Sequence, residues 1–285
     1  MRWKARLERS GRTRVHLIPV VAAAVVFAAI TLVPSASGAA GDTLRGLRAA
    51  LRGPARAEIA TVTSTGQSFG GEAAVGALFS ENSGQLGSHF CTASVVHSPH
   101  GDLAVTAAHC VTGKTGQIVF VPGYANGAEP YGIWQVTRVY TDRAWQSSQD
   151  PDDDVAFLQL SSTTGSQSVE AVTGAEQVGA GSPVQEGAST LVRVIGYPDG
   201  EPEPVWCVNW TKIFSPTQIE FDCGGYTNGT SGGPFLADVS ASSGLGTVIG
   251  VIGGYEQGGD TPQVSYAAAF GPAVTVLYRT AEASS

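Results

Sequence analysis

Ser231 lies in the stretch "TNGTSGGPF", residues 227 to 235, where glycines surround a single hydroxyl. A serine hydroxyl attacks a carbonyl at neutral pH only once an adjacent base takes its proton, and neutral imidazole has the basicity for that task. The candidate bases are His16, His89, His97, His100 and His109, and all of them precede the serine. Gly229 to Gly233 also fits G-x-S-x-G, the elbow of the α/β-hydrolases, but that fold needs its acid and histidine after the nucleophile. No histidine follows residue 109, so that arrangement is excluded.

The opposite chain order works. "VTAAHC" puts His109 at the end of an apolar strand beside a cysteine, and "DDDVAFLQL" puts Asp154 directly before another. A buried carboxylate that accepts from one ring nitrogen fixes the tautomer and leaves the other nitrogen to receive the serine proton. Asp154 suits this because it abuts Val155 to Leu158, whereas Asp150, Asp152 and Asp153 are expected to face water. Glycine at 229 allows close backbone approach, so the amides of Gly229 and Ser231 can aim at a developing oxyanion. Each such donor is typically worth about 2.7 to 4 kcal/mol. His89, His97 and His100 read as polar loop residues rather than ligands. The cluster "DPDDD" lacks the spaced oxygens of a calcium loop and reads as a solvated face, so no metal is expected.

Three segments in this order, "TAAHC", "DDDVAFLQL" and "GTSGGP", make residues 73 to 280 resemble the chymotrypsin-like serine endopeptidases. "CTASVVHSPHGDLAVTAAHC" is similar to the opening of extracellular bacterial members. The resemblance implies an all-β fold of two six-stranded antiparallel β-barrels, an active site in the cleft between them, and a short C-terminal helix. It implies a monomer acting on polypeptide substrates without metal or organic cofactor, with catalytic roles for His109, Asp154 and Ser231. The place before the nucleophile, where proteolytically activated members carry an aspartate, holds Thr230, so no ion pair with a new N-terminal amine is implied. Six residues before Ser231, where the trypsin-like branch has an aspartate, stands Gly225, followed by Tyr226. The far pocket wall is expected from Gly253, Gly254 and Tyr255. Such a pocket is neutral and takes uncharged side chains at the cleaved bond. The rival reading is a catalytically silent homologue that binds a protein partner at the cell surface.

The elements that must position these groups are short strands. Gly numbers 37, only 14% of residues are charged, and β-branched clusters recur between turn residues. Six strand-like runs precede the low-complexity passage 161–187, which reads as a crossover, and six follow it. Pro272 stands where a short closing helix would begin. The first barrel is expected over about 73–165 and the second over about 175–285. Cys91, Cys110, Cys207 and Cys223 are an even set suited to two disulfides in an oxidising compartment, with three pairings open. The sequence-local pairing, Cys91 with Cys110 and Cys207 with Cys223, would close loops worth about 3 kcal/mol each.

The first forty residues differ from the rest. Six basic groups and one acid lead into the apolar run Leu17 to Val33, with small residues near Ala40. This is the layout of a secretory signal peptide, and the run also reaches the lower limit for a membrane anchor. Residues 41–72 read as a pro-segment or extension. Beyond residue 40, 10 Lys/Arg stand against 23 Asp/Glu, a balance of −13 that repels nucleic acid and anionic lipid. A secreted location is expected, with membrane contact only through an uncleaved anchor.

Overall fold

A computed structural model describes residues 61–179 and 189–285, all within one compact unit from Glu58 to Ser285. The expected export segment, residues 1–40, lies outside the described residues, as does 41–60 of the expected extension. No helix among the described residues is long and apolar enough to cross a membrane.

A two-residue strand, β1 (Gln67–Ser68), comes first. β2 (Val75–Asn82), β3 (Gln85–Val96), β4 (Leu103–Thr106), β5 (Gln117–Pro122), β6 (Trp134–Thr141) and β7 (Ala156–Ser162) follow. They close an antiparallel barrel in the order β2-β3-β4-β7-β6-β5. Closure leaves this sheet without an unpaired edge. β2 begins with five consecutive buried residues, Val75 to Phe79, because neither of its faces is left to solvent there. Tyr197 from the second half of the chain is itself fully buried, and its phenol donates to the Val75 carbonyl at 3.3 Å.

The second half holds β8 (Gln177–Val178), β9 (Leu191–Gly196), β10 (Val205–Ile213), β11 (Gln218–Asp222), β12 (Pro234–Ala237), β13 (Thr247–Val251) and β14 (Val264–Ala268). With β1 they form an eight-stranded sheet, ordered β14-β11-β10-β9-β12-β13-β8 with β1 on β10, and an Ile252–Ala267 bridge draws its ends together. The expected second barrel had six strands, and these are β9 to β14. The two additions are two-residue segments: β1 pairs antiparallel with β10, and β8 pairs parallel with β13. Two residues are too few for a period-two side-chain pattern to announce a strand.

Three α-helices complete the described residues: α1 (Arg143–Ser148), α2 (Val169–Thr173) and α3 (Pro272–Glu282). Pro272 starts α3 as expected, and Val274, Leu277 and Ala281 form its buried stripe. Tyr278 of α3 lies 5.3 Å from the Phe157 ring of β7, so the C-terminal helix packs back on the first barrel. Of the three open pairings, the disulfides take Cys91–Cys110 and Cys207–Cys223.

Glu176, between α2 and β8, joins the two halves. Its N–H donates to the Val95 carbonyl at 2.9 Å, and its carbonyl accepts from the His97 N–H at 2.9 Å. The side chain is fully buried; Oε2 accepts from the Gly246 N–H, and Oε1 has no partner among the described residues. Burial pushes this carboxyl up from 4.5 to about 7, opposed by the Gly246 N–H and by Arg193 and reinforced by Glu72. The folded state therefore holds more protons than the unfolded chain between those two values. Stability falls as pH rises from about 4.5 to about 7, by on the order of 3 kcal/mol, and the loss persists above that. Glu176→Gln keeps an acceptor for Gly246 and is expected to flatten this dependence. Urea unfolding of both proteins at about pH 5 and pH 8 checks it, and equal pH slopes would refute it.

Candidate active site

β4 and β7 are paired neighbours, with Thr106 opposite Ala156. Positions just past those paired ends therefore meet: His109, three residues beyond Thr106, and Asp154, two before Ala156. His109 sits in a 3-10 turn, Ala108–Cys110, that the Cys91–Cys110 disulfide ties to β3. Asp154 ends a second turn, Pro151–Asp153, capped by the Asp150 carboxylate, which accepts from the Asp152 N–H at 3.1 Å.

The Asp154 side chain is fully buried, and both its oxygens are used. Oδ2 accepts from His109 Nδ1 at 2.7 Å and from the Gly254 N–H at 2.9 Å, while Oδ1 accepts from the His109 backbone N–H at 2.8 Å. An ionised carboxylate can only accept, so Nδ1 carries the ring proton and Nε2 keeps its lone pair free to accept. Nε2 lies 3.8 Å from Cys110 Sγ, and no hydrogen bond joins it to Ser231 among the described residues. Of the acidic run, Asp150, Asp152 and Asp153 stay toward solvent, and crowding shows at Asp153. Partial burial, then the charges of Asp142, Asp150 and Asp152, raise its carboxyl.

Ser231 belongs to a loop locked at several points. The Ser231 carbonyl accepts from the Thr92 N–H at 2.7 Å, and the Asn228 carbonyl accepts from the Asp199 N–H at 2.6 Å. A trans peptide points its N–H away from its carbonyl, so the second bond turns the Gly229 N–H away from Asp199. Neither the Gly229 nor the Ser231 amide donates to any group among the described residues. Two amides without an acceptor among the described residues thus lie in the serine loop. Gly229 has φ +91, and a Cβ there would lie 2.6 Å from Asp199 N and Tyr197 O. At Gly232, φ +81, a Cβ would come within 2.1 Å of Thr106 Oγ1, which shows how tightly the loop seats against the end of β4. Thr230 is buried, and its hydroxyl donates to the Thr227 carbonyl at 2.7 Å, so the uncharged side chain is satisfied within the loop.

A cavity of about 620 Å³ opens beside Ser231. Of the residues expected to shape the pocket, Tyr226 lines it; its phenol donates to the Val194 carbonyl at 2.8 Å, and burial pushes it well above the ordinary phenol value. Gly225 instead backs onto Gly66 of the N-terminal segment, and Gly253 and Gly254 lie against Asp154. Tyr255 is exposed, packed with Phe214 and Tyr266 at ring distances of 4.8 and 5.1 Å. The displacement has a backbone cause. β13 stops at Val251, and the chain enters a turn with Glu256 and Gln257 at φ 50 and 53, which swings 256–262 into the wall. Three exposed acids, Asp199, Glu256 and Asp260, therefore sit in the lining, and the sequence carried no signal for them.

His89 corrects an expectation. It lies on β3, buried among Phe79, Tyr124 and Tyr197, with Nε2 against the Glu201 carbonyl at 3.1 Å. Its apolar neighbours on paired strands, not its own loop-like context, decide its burial.

The trypsin family model matches residues 69–273. No curated protein matches the sequence. Among solved structures, the protease Anisep from Arthrobacter nicotinovorans is 24% identical, with TM-score 0.64 over 77% of this chain and 100% of that one. The thermostable serine protease AL20 from an extremophilic microorganism is 25% identical, with TM-score 0.62 over 75% of this chain and 99% of that one. A Glu endopeptidase is 14% identical, with TM-score 0.59 over 78% of this chain and 99% of that one, a likeness of fold. With the family model spanning most of the chain and both barrels, this protein belongs to the trypsin family of serine endopeptidases.

Proposed function

We propose that this chain is an exported, monomeric endopeptidase that cleaves polypeptides with His109, Asp154 and Ser231 as its triad. The observation that carries the reading is the buried Asp154 carboxylate holding His109 Nδ1 at 2.7 Å beside a serine loop with two undonated amides. Substrate closes the remaining gap, because catalytic hydrogen bonds are often long in the free enzyme and tighten in the complex. Ser231 Oγ bonds to the peptide carbonyl carbon as its proton passes to His109 Nε2, and the oxyanion rests on the amides of Gly229 and Ser231. The C–N bond then breaks, His109 gives the proton to the leaving amine, and an ester remains on Ser231. Water, deprotonated by His109, attacks that ester; the bond from the acyl carbon to Ser231 Oγ breaks, His109 gives the proton to that oxygen, and the carboxylate is released.

The cavity lining disfavours acidic side chains at the cleaved bond. Gly225 and Tyr226 supply no buried counter-charge for lysine or arginine, and Asp199, Glu256 and Asp260 repel aspartate and glutamate. Cleavage profiling on a mixed peptide library is expected to rank uncharged residues above acidic ones, and a glutamate preference would overturn this. The disulfides support export.

One observation favours the silent-homologue reading: Nε2 lies 3.8 Å from Cys110 Sγ and makes no hydrogen bond to Ser231 among the described residues. A fluorophosphonate probe decides between the two. Covalent labelling at Ser231 in folded protein is expected, and its absence would leave only the binding role.

A further inference from the structure

We infer that Thr92, on the first barrel, is a positioning residue for the oxyanion loop of the second, acting through its hydroxyl. The inference rests on the triad reading above.

Thr92 lies on β3 next to Cys91 and is fully buried. Every polar atom it has is engaged. Its hydroxyl donates to the Gly229 carbonyl at 3.1 Å and accepts from the Tyr197 N–H at 2.9 Å. Its N–H donates to the Ser231 carbonyl at 2.7 Å, and its carbonyl accepts from the Thr106 hydroxyl at 2.7 Å. A single residue thus bonds to three separate stretches: the nucleophile loop, the 197–199 turn, and the end of β4 that leads to His109.

The consequence follows from which peptide units are fixed. The Gly229 amide depends on the Asn228–Gly229 peptide, whose carbonyl is held by the Asp199 N–H. Asp199 is two residues from Tyr197, whose own N–H the Thr92 hydroxyl accepts. The next peptide, Gly229–Thr230, is held through its carbonyl by the same hydroxyl. Both ends of the turn that aims the first oxyanion donor are therefore referenced to one oxygen on the opposite barrel. The Thr92 backbone N–H does the same for the carbonyl of Ser231. A hydroxyl can serve both partners because it donates and accepts at once, and a β-branched side chain fixes χ1 so that it does.

Valine at 92 keeps the shape and removes the hydroxyl, leaving the Gly229 carbonyl and Tyr197 N–H without partners in a buried place. For Thr92→Val, kcat on a peptide amide is expected to fall roughly 10- to 100-fold, less than the 100- to 1000-fold that loss of a whole oxyanion donor costs. KM is expected to change little, because the cavity residues are untouched. Affinity for a peptide aldehyde, which forms the oxyanion, is expected to fall in step with kcat, while affinity for the cleaved peptide product holds. Thr92→Ser restores the hydroxyl and is expected to stay within about threefold of the parent in kcat.

A Thr92→Val enzyme with parental kcat, or one whose KM rises while kcat holds, would overturn the inference. So would Thr92→Ser losing as much as Thr92→Val, since the hydroxyl would then not be what carries the effect. Should Thr92→Val not fold, Thr92→Ser carries the test alone, and a tenfold loss of kcat there refutes it. Parental protein that neither turns over peptides nor labels at Ser231 would overturn the triad reading, and this inference with it. Parental activity with an indifferent Thr92→Val overturns this inference only.

Discussion

Replacing Ser231 with alanine is expected to lower kcat on peptide substrates by roughly a millionfold while leaving the fold intact. The size follows from the proposed role of Ser231 as the nucleophile of a unit whose members act together. Without the hydroxyl there is no acyl-enzyme, and His109 and Asp154 have nothing to activate except water that the site was not shaped to hold. What remains is the contribution of the oxyanion donors and substrate binding. Stability is expected to change by less than about 0.5 kcal/mol, because the Ser231 side chain makes no hydrogen bond among the described residues. The loop is held through backbone groups that alanine also has. The measurement pairs steady-state kinetics with a denaturation curve on the same preparation. Activity within a hundredfold of the parent, in protein free of parental contamination, would mean that another group performs the chemistry.

Much of the fold was legible because its units are long enough to show a pattern. Twelve runs such as "AVGALF" and "TVIGVIGGY" became β2 to β7 and β9 to β14. The chain order of His109, Asp154 and Ser231 excluded one hydrolase architecture and favoured another before any geometry was known. The structure adds the reason Asp154 and His109 meet, which is the Thr106–Ala156 register.

What escaped the sequence did so for identifiable reasons. β1 and β8 are made of backbone pairing alone. α1 and α2 are single short turns whose caps, Asp142 and Ser168, look like ordinary loop residues until the Ala144 and Ala171 amides they accept from are in place. The low-complexity crossover 161–187 shows no periodic pattern in the sequence, yet it contains α2 and the buried Glu176. Thr92 reads as one more strand residue, because its partners lie 105 and 137 positions away. The acidic pocket lining was hidden by two left-handed residues, Glu256 and Gln257, that turn the chain where a strand was expected to continue.

Asp154→Asn is expected to cost about four orders of magnitude in kcat, by a route this site makes specific. The carboxylate accepts at both oxygens, from His109 Nδ1 and the Gly254 N–H at one and from the His109 N–H at the other. An amide must put an N–H2 at one of these two places. At the Oδ1 place it faces the His109 backbone N–H, donor against donor, in a buried spot. At the Oδ2 place it faces the Gly254 N–H and also forces Nδ1 to become the acceptor, which moves the ring proton to Nε2 and removes the base. The first choice costs stability and the second costs catalysis, and no orientation avoids both. Asp153→Asn is the matched control: its carboxyl is raised by burial and neighbouring acids, so neutralising it relieves repulsion and is expected to leave kcat unchanged. Nitrogen-15 spectra of the His109 ring would report the tautomer directly. Asp154→Asn with kcat within tenfold of the parent, or Asp153→Asn with the larger loss, would show that the wrong aspartate has been assigned to orient the histidine.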